Sequence, residues 1–179
     1  LDMDPVYSNV AKVSPPLSIW MRARVSAATP EQVPLAASPP PDLAGTVVFQ
    51  SDRHGRDKLY RLDLSTREVT PLTSGADHRD EDPAWSPDGT RLAFATTRFD
   101  ASTYDIAVMD AAGTSIQRVT AHAPFERQPA WAADGRSLLF SSEQDGTQAV
   151  FRVWLDSGEV ARVSPPPDRG LMADAAPDG

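Results

Sequence analysis

After Gly45 the chain falls into short apolar runs of five to seven residues separated by polar turns, and the runs return at a fixed interval. TVVFQS (46–51), RLAFAT (91–96) and SLLFSS (137–142) put Phe49, Phe94 and Phe140 in register. KLYRLDL, DIAVMDA and VFRVWLDS come next, with Asp63, Asp110 and Asp156 placed just before a polar turn. EVTPLTS, IQRVTA and EVARVSP are third, closed by Thr73, Thr120 and Ser164. PAWSPDG, PAWAADG and the weaker DAAPDG then lead into the following unit. Most landmarks recur after 45 to 47 residues and the last after 44, an interval that marks an internal repeat. Runs of this length, rich in Val, Leu, Ile and Phe and punctuated by Asp-Gly, Ser-Gly and Asp-Ala, predict strands joined by tight turns. No helix is needed.

Each repeat thus holds four short strands. A four-stranded antiparallel unit cannot bury both of its faces alone, but stacking it against copies of itself does, which is how a propeller blade is stabilised. The near-identical twelve-mers PAWSPDGTRLAF (83–94) and PAWAADGRSLLF (129–140) fit the passage from one unit to the next. Proline suits a position that owes the ladder no donor, tryptophan supplies a large apolar plate for a neighbour, and Asp-Gly admits the positive φ of a tight turn. Trp85 and Trp131, with Phe49, Phe94 and Phe140, are therefore expected between blades. In RLAF, Leu92 and Phe94 are expected on opposite faces of a strand covered on both sides.

Residues 1–43 follow other rules. Eight of the 17 prolines lie there, and AATPEQVPLAASPPPDL has neither helical nor strand period, which favours a stiff polyproline linker. LSIWMRARV carries Trp20, Arg22 and Arg24, an apolar stretch followed by cations that suits an anchoring contact or an edge strand. The domain reading is an extended arm at 1–43 and repeats over 44–179, with blades at about 45–89, 90–135 and 136–179. Deleting the arm is expected to abolish complex formation and leave the blades folded.

Composition narrows the function. A net charge of -8 argues against a partner with a phosphate backbone, so no nucleic acid is expected. The chain has no cysteine, which removes disulfides, thiolate metal ligands and thiol catalysis. No run of eighteen apolar residues occurs. A first residue that is Leu rather than Met is expected to mean a leader or anchor outside this numbering, favouring export.

WSPDGTRLAF, with Trp85, Ser86, Pro87, Asp88 and Gly89 ahead of Leu92, Ala93 and Phe94, resembles the repeat signature of TolB-type propellers. WAADGRSLLF is a second copy without the Ser and Pro, and AAPDG at 175–179 a third that keeps Pro177, Asp178 and Gly179. The Gly-His and Trp-Asp pairs of WD repeats are absent. The resemblance implies an all-β propeller, and with it a non-enzymatic scaffold that holds proteins in an exported or membrane-associated complex. It implies no cofactor, and a periplasmic or extracellular location. Family members also include the propeller lids of prolyl-oligopeptidase-like serine peptidases, so that role and a calcium- or ligand-binding surface domain are the alternatives. TolB-like rings have six blades and three are visible, so the chain is expected to be a fragment, half of a homodimeric ring, or an arc covered by another subunit.

DHRDED (77–82) is the densest charge cluster. Asp77, His78, Asp80, Glu81 and Asp82 are read as a solvated inter-strand loop that contacts a protein partner; the spacing is not that of a calcium hand. His78 and His122 occupy comparable loops of adjacent units, without HxxxH or HxH spacing. No GxSxG elbow occurs. Catalytic, cofactor and metal residues are assigned to none.

Overall fold

The computed structural model describes residues 10–13, 21–22, 44–121, 125–165, 173 and 176. Regular structure among them is all strand: β1 (Val10–Val13), β2 (Met21–Arg22), β3 (Thr46–Ser51), β4 (Lys58–Asp63), β5 (Val69–Pro71), β6 (Asp80–Trp85), β7 (Arg91–Thr96), β8 (Asp105–Asp110), β9 (Gln117–Arg118), β10 (Arg127–Trp131), β11 (Ser137–Ser142), β12 (Ala149–Trp154) and β13 (Val160–Arg162). They form three antiparallel sheets in the orders β2-β1-β3-β4-β5, β6-β7-β8-β9 and β10-β11-β12-β13.

Each twelve-mer is the first hairpin of a sheet. Trp85 pairs with Leu92 and Trp131 with Leu138, across turns closed by Gly89 N donating to Ser86 O and Gly135 N to Ala132 O, both at 2.9 Å. Gly89 and Gly135 adopt φ of 70° and 64°, the conformation for which Asp-Gly was read. So short a turn returns the chain to its own sheet, and the second and third sheets begin at Asp80 and Arg127. The limits at 90 and 136 read from the sequence fall inside these hairpins.

The first sheet borrows its corresponding strand from the N-terminal region. Lys12 pairs with Val48 and Val13 with Val47, the register that Ala84 and Trp85 take against Ala93 and Leu92, 45 residues on. The sequence carries a faint sign of this: Val13-Ser14-Pro15 is a degenerate copy of Trp85-Ser86-Pro87. Deleting 1–43 would therefore strip β1 and β2 from the first sheet, contrary to the expectation that the blades would be left intact.

Repeated polar bonds fix the remaining strands. The hydroxyls of Thr73, Thr120 and Ser164 accept from the N–H groups of Leu59, Ile106 and Val150 at 3.0, 2.9 and 3.0 Å, always fourteen residues back. Asp63 Oδ1 accepts from Ser65 Oγ and from the N–H groups of Ser65 and Thr66. Those donors, the Ser65 hydroxyl foremost, hold its carboxyl down at about 2.

Two apolar clusters lie between the sheets. Val48 and Leu59 of the first sheet meet Leu92, Phe94, Ala107 and Met109 of the second. On the other side, Ala84, Ala93, Ala95, Ile106 and Val108 of the second meet Trp131, Leu138, Phe140, Ala149, Phe151 and Val153 of the third. Small side chains on one face receive large ones from the next, which permits close packing. Leu92 and Phe94 share a face, because residues two apart in a strand point the same way; it is Ala93 and Ala95 that point oppositely. The expectation of opposite faces is corrected accordingly.

Trp131, Phe94 and Phe140 sit in these junctions, and Trp85 packs at the edge of the first. Trp131 Nε1 donates to Ala84 O at 3.0 Å across the junction, whereas the buried Nε1 of Trp85 has no acceptor among the described residues. Phe49 lies outside both clusters. By register it faces the side away from the second sheet, where it stacks on Tyr60 at 5.8 Å beneath the Arg53 guanidinium. Val48 takes the junction side instead.

Candidate functional site

The second half of the acidic run 77–82 turns out to be strand. Of its acidic residues only Asp77 is exposed; His78 is half-buried, and Asp80, Glu81 and Asp82 open β6. Their burial is possible because each faces cations supplied by other segments. Asp80 is fully buried, and its Oδ2 lies 3.1 Å from Arg98 Nη2, 3.3 Å from His78 Nε2 and 3.6 Å from Lys58 Nζ. Thr96 Oγ1 donates to Oδ1 at 2.6 Å. Lys58, itself 5% exposed, also donates to His78 O. Burial lowers the pKa of both Lys58 and His78 more than Asp80 raises it, which favours a neutral His78.

Glu81 and Asp82 tie the second sheet to the third. Arg127, on β10, donates from Nη2 to Glu81 and from Nε to Asp82 Oδ2 at 3.2 Å, and its guanidinium lies 4.5 Å from the centre of the Tyr104 ring. Tyr104 donates its hydroxyl to Glu81 Oε1 at 2.6 Å, and burial, followed by this bond, raises its pKa. The backbone helps: Asp82 and Gln128 bulge at φ of 53° and 56°, so the N–H of Asp82 reaches Gln50 Oε1 and that of Gln128 reaches Asp82 Oδ2.

Lys58, Arg98, Tyr104 and Arg127 escaped the reading of the sequence, although one sign of their role was there. Glu81 and Arg127 lie 46 apart, one repeat, so the same strand position in adjacent sheets bears opposite charges. Of the other candidates, Arg22 lies in β2, and Trp20, Arg24 and His122 lie outside the described residues. Around this end the exposed groups are Asp77, Arg79, which pairs with Asp57 at 2.9 Å, Phe99 and Phe125. Among the described residues no group of three or more His, Cys, Asp or Glu could hold a metal ion, and no helix is long and apolar enough to cross a membrane. Chemically, the arrangement locks charges together and leaves a rim of mixed polar and aromatic side chains.

Residues 77–179, more than half of the chain, match the TolB beta propeller domain. The chain belongs to that family. The TolB-like sequence is 37% identical over 79 residues to the Tol-Pal system protein TolB of Azoarcus sp. (strain BH72), covering 44% of this chain and 17% of that protein. It is 35% identical over 81 residues to the uncharacterized peptidase YuxL of Bacillus subtilis (strain 168), covering 45% and 12%. The chain spans less than a fifth of the length of these curated relatives. Its fold overlays the crystal structure of TolB from Acinetobacter baumannii with a TM-score of 0.67 at 23% identity, over 75% of this chain and 33% of that one. The three stacked sheets are thus TolB-type propeller blades.

Proposed function

We propose that this propeller segment is a non-enzymatic protein-binding scaffold within an exported, membrane-associated complex, in the periplasm or at the cell surface. The observation that supports it most is the ion-paired frame. Asp80, Glu81 and Asp82 are committed to Lys58, Arg98 and Arg127, so the loops around them are held rigidly and the rim is free to read a partner. Asp77 and Arg79 on that rim, with Trp20, Arg22 and Arg24 of the N-terminal region, are the contact residues of this proposal, and a second copy is one way to complete the ring. The match to the Tol-Pal system protein TolB agrees with a protein partner. Capture from a bacterial envelope extract tests it: Asp77→Ala with Arg79→Ala should lose the captured protein while the chain still unfolds cooperatively, the lost Arg79–Asp57 pair costing at most about 1 kcal/mol. Undiminished capture would dismiss these residues as the contact.

The match to YuxL favours a second reading, the propeller of a serine peptidase. Its test is labelling of the full-length natural protein by a serine-directed fluorophosphonate. Labelling would replace the scaffold with a peptidase.

A further inference from the structure

Repeat position 80 is acidic in both junctions: Asp80 in the first and Glu126, 46 residues later, in the second. Each is placed by the same backbone bond, from Asp80 N to Asp57 O and from Glu126 N to Tyr104 O. Each is fully buried. Their surroundings are opposite. Opposite Asp80 stands Lys58, the first residue of β4; the matching first residue of β8 is Asp105. Asp80 has three basic side chains within 4 Å and a hydroxyl donor. Among the described residues neither oxygen of Glu126 has a hydrogen-bond partner, and nor has Oδ2 of Asp105, which is 1% exposed.

The nearby charges do not balance. From β8 comes Asp105, which repels an ionised Glu126, and from β9 comes Arg118, whose Nη2 is spent on Asp105 Oδ1 at 2.9 Å. From β10 comes Arg127, turned toward Glu81 and Asp82. The Thr120 hydroxyl favours the charged form only in part, since it makes no bond of normal geometry to either Glu126 oxygen. Among the described residues, two carboxylates and one guanidinium leave an excess negative charge at buried positions, an arrangement that is relieved by taking up a proton.

We propose that Glu126 keeps a proton beside the Asp105 carboxylate, making the junction of the second and third sheets an acid-tightened joint that loosens as the proton leaves. Burial first, then the Asp105 charge, pushes Glu126 up to about 7, in keeping with this. The sign follows from linkage. Between the ordinary value of 4.5 and about 7 the folded chain keeps a proton that the unfolded chain has released. Its contribution is therefore complete below that window, falls as pH rises through it, and is gone above.

Thermal unfolding midpoints of the chain, of Glu126→Gln and of Asp105→Asn, followed from about pH 5 to about pH 8, test the joint. The parent should lose stability across that range. Glu126→Gln should have the higher midpoint at the alkaline end and a flatter profile, and Asp105→Asn should move the decline toward acid. A Glu126→Gln profile parallel to that of the parent would overturn the proposal. So would a parent midpoint that rises with calcium and falls with chelator, which would assign the pair to a metal. Carbon-13 NMR of the parent's Glu126 carboxyl needs no variant: titration near 7 supports the retained proton, and titration near 4.5 refutes it.

Discussion

At the scale of single residues, a buried acidic side chain does opposite work at equivalent repeat positions, according to the charges around it. Asp80 neutralises a cluster that would otherwise bury Lys58 and Arg98 unpaired. Asp80→Asn keeps the shape and removes the anion, and taking one partner from a buried ion cluster costs about 3–5 kcal/mol. Chemical denaturation should show that loss; a change below about 1 kcal/mol, in the range of exposed pairs, would mean the cluster is hydrated and not structural. Gly113 is a second critical residue. It sits at φ of 85° in the turn after β8, where an added Cβ would lie 2.7 Å from Leu72 O of the first sheet. Gly113→Ala should destabilise by more than about 1 kcal/mol, since the backbone is strained and the carbonyl has little room to retreat. An unchanged midpoint would show that this turn does not touch the first sheet.

At the scale of elements, most strands were legible because alternation and turn chemistry are local. TVVFQS, RLAFAT and SLLFSS each became a six-residue strand in the predicted place. What the pattern could not show was which strands pair. The PAW segments look like connectors because proline interrupts them, yet the ladder tolerates Pro83 and Pro129 at the bulges, where no donor is required. The acidic run looked like a solvated loop for a similar reason: charge suggests exposure unless the compensating cations are visible, and Lys58, Arg98 and Arg127 are distant in sequence. The faces are complementary between elements, as Phe140 shows by packing fully buried in the cluster that holds Ala93 and Ala95. Phe140→Ala should cost about 3–5 kcal/mol by leaving a cavity between sheets. A cost below about 1 kcal/mol would place that ring outside the core.

At the scale of the whole molecule, stability comes from junctions, not from sheets. The second sheet is covered on both faces, with Leu92, Phe94, Ala107 and Met109 against one neighbour and Ala93, Ala95, Ile106 and Val108 against the other. Repeats joined in this way resist opening most where both junctions must fail together. The scaffold reading rests on the same property, because a rim can read a partner only if the sheets beneath it stay in place. Amide hydrogen exchange, resolved strand by strand, measures this directly. The slowest amides should be those of β7 and β8, ahead of β5, β9 and β13. Exchange in β7 and β8 as fast as in those outer strands would contradict stacking through two faces.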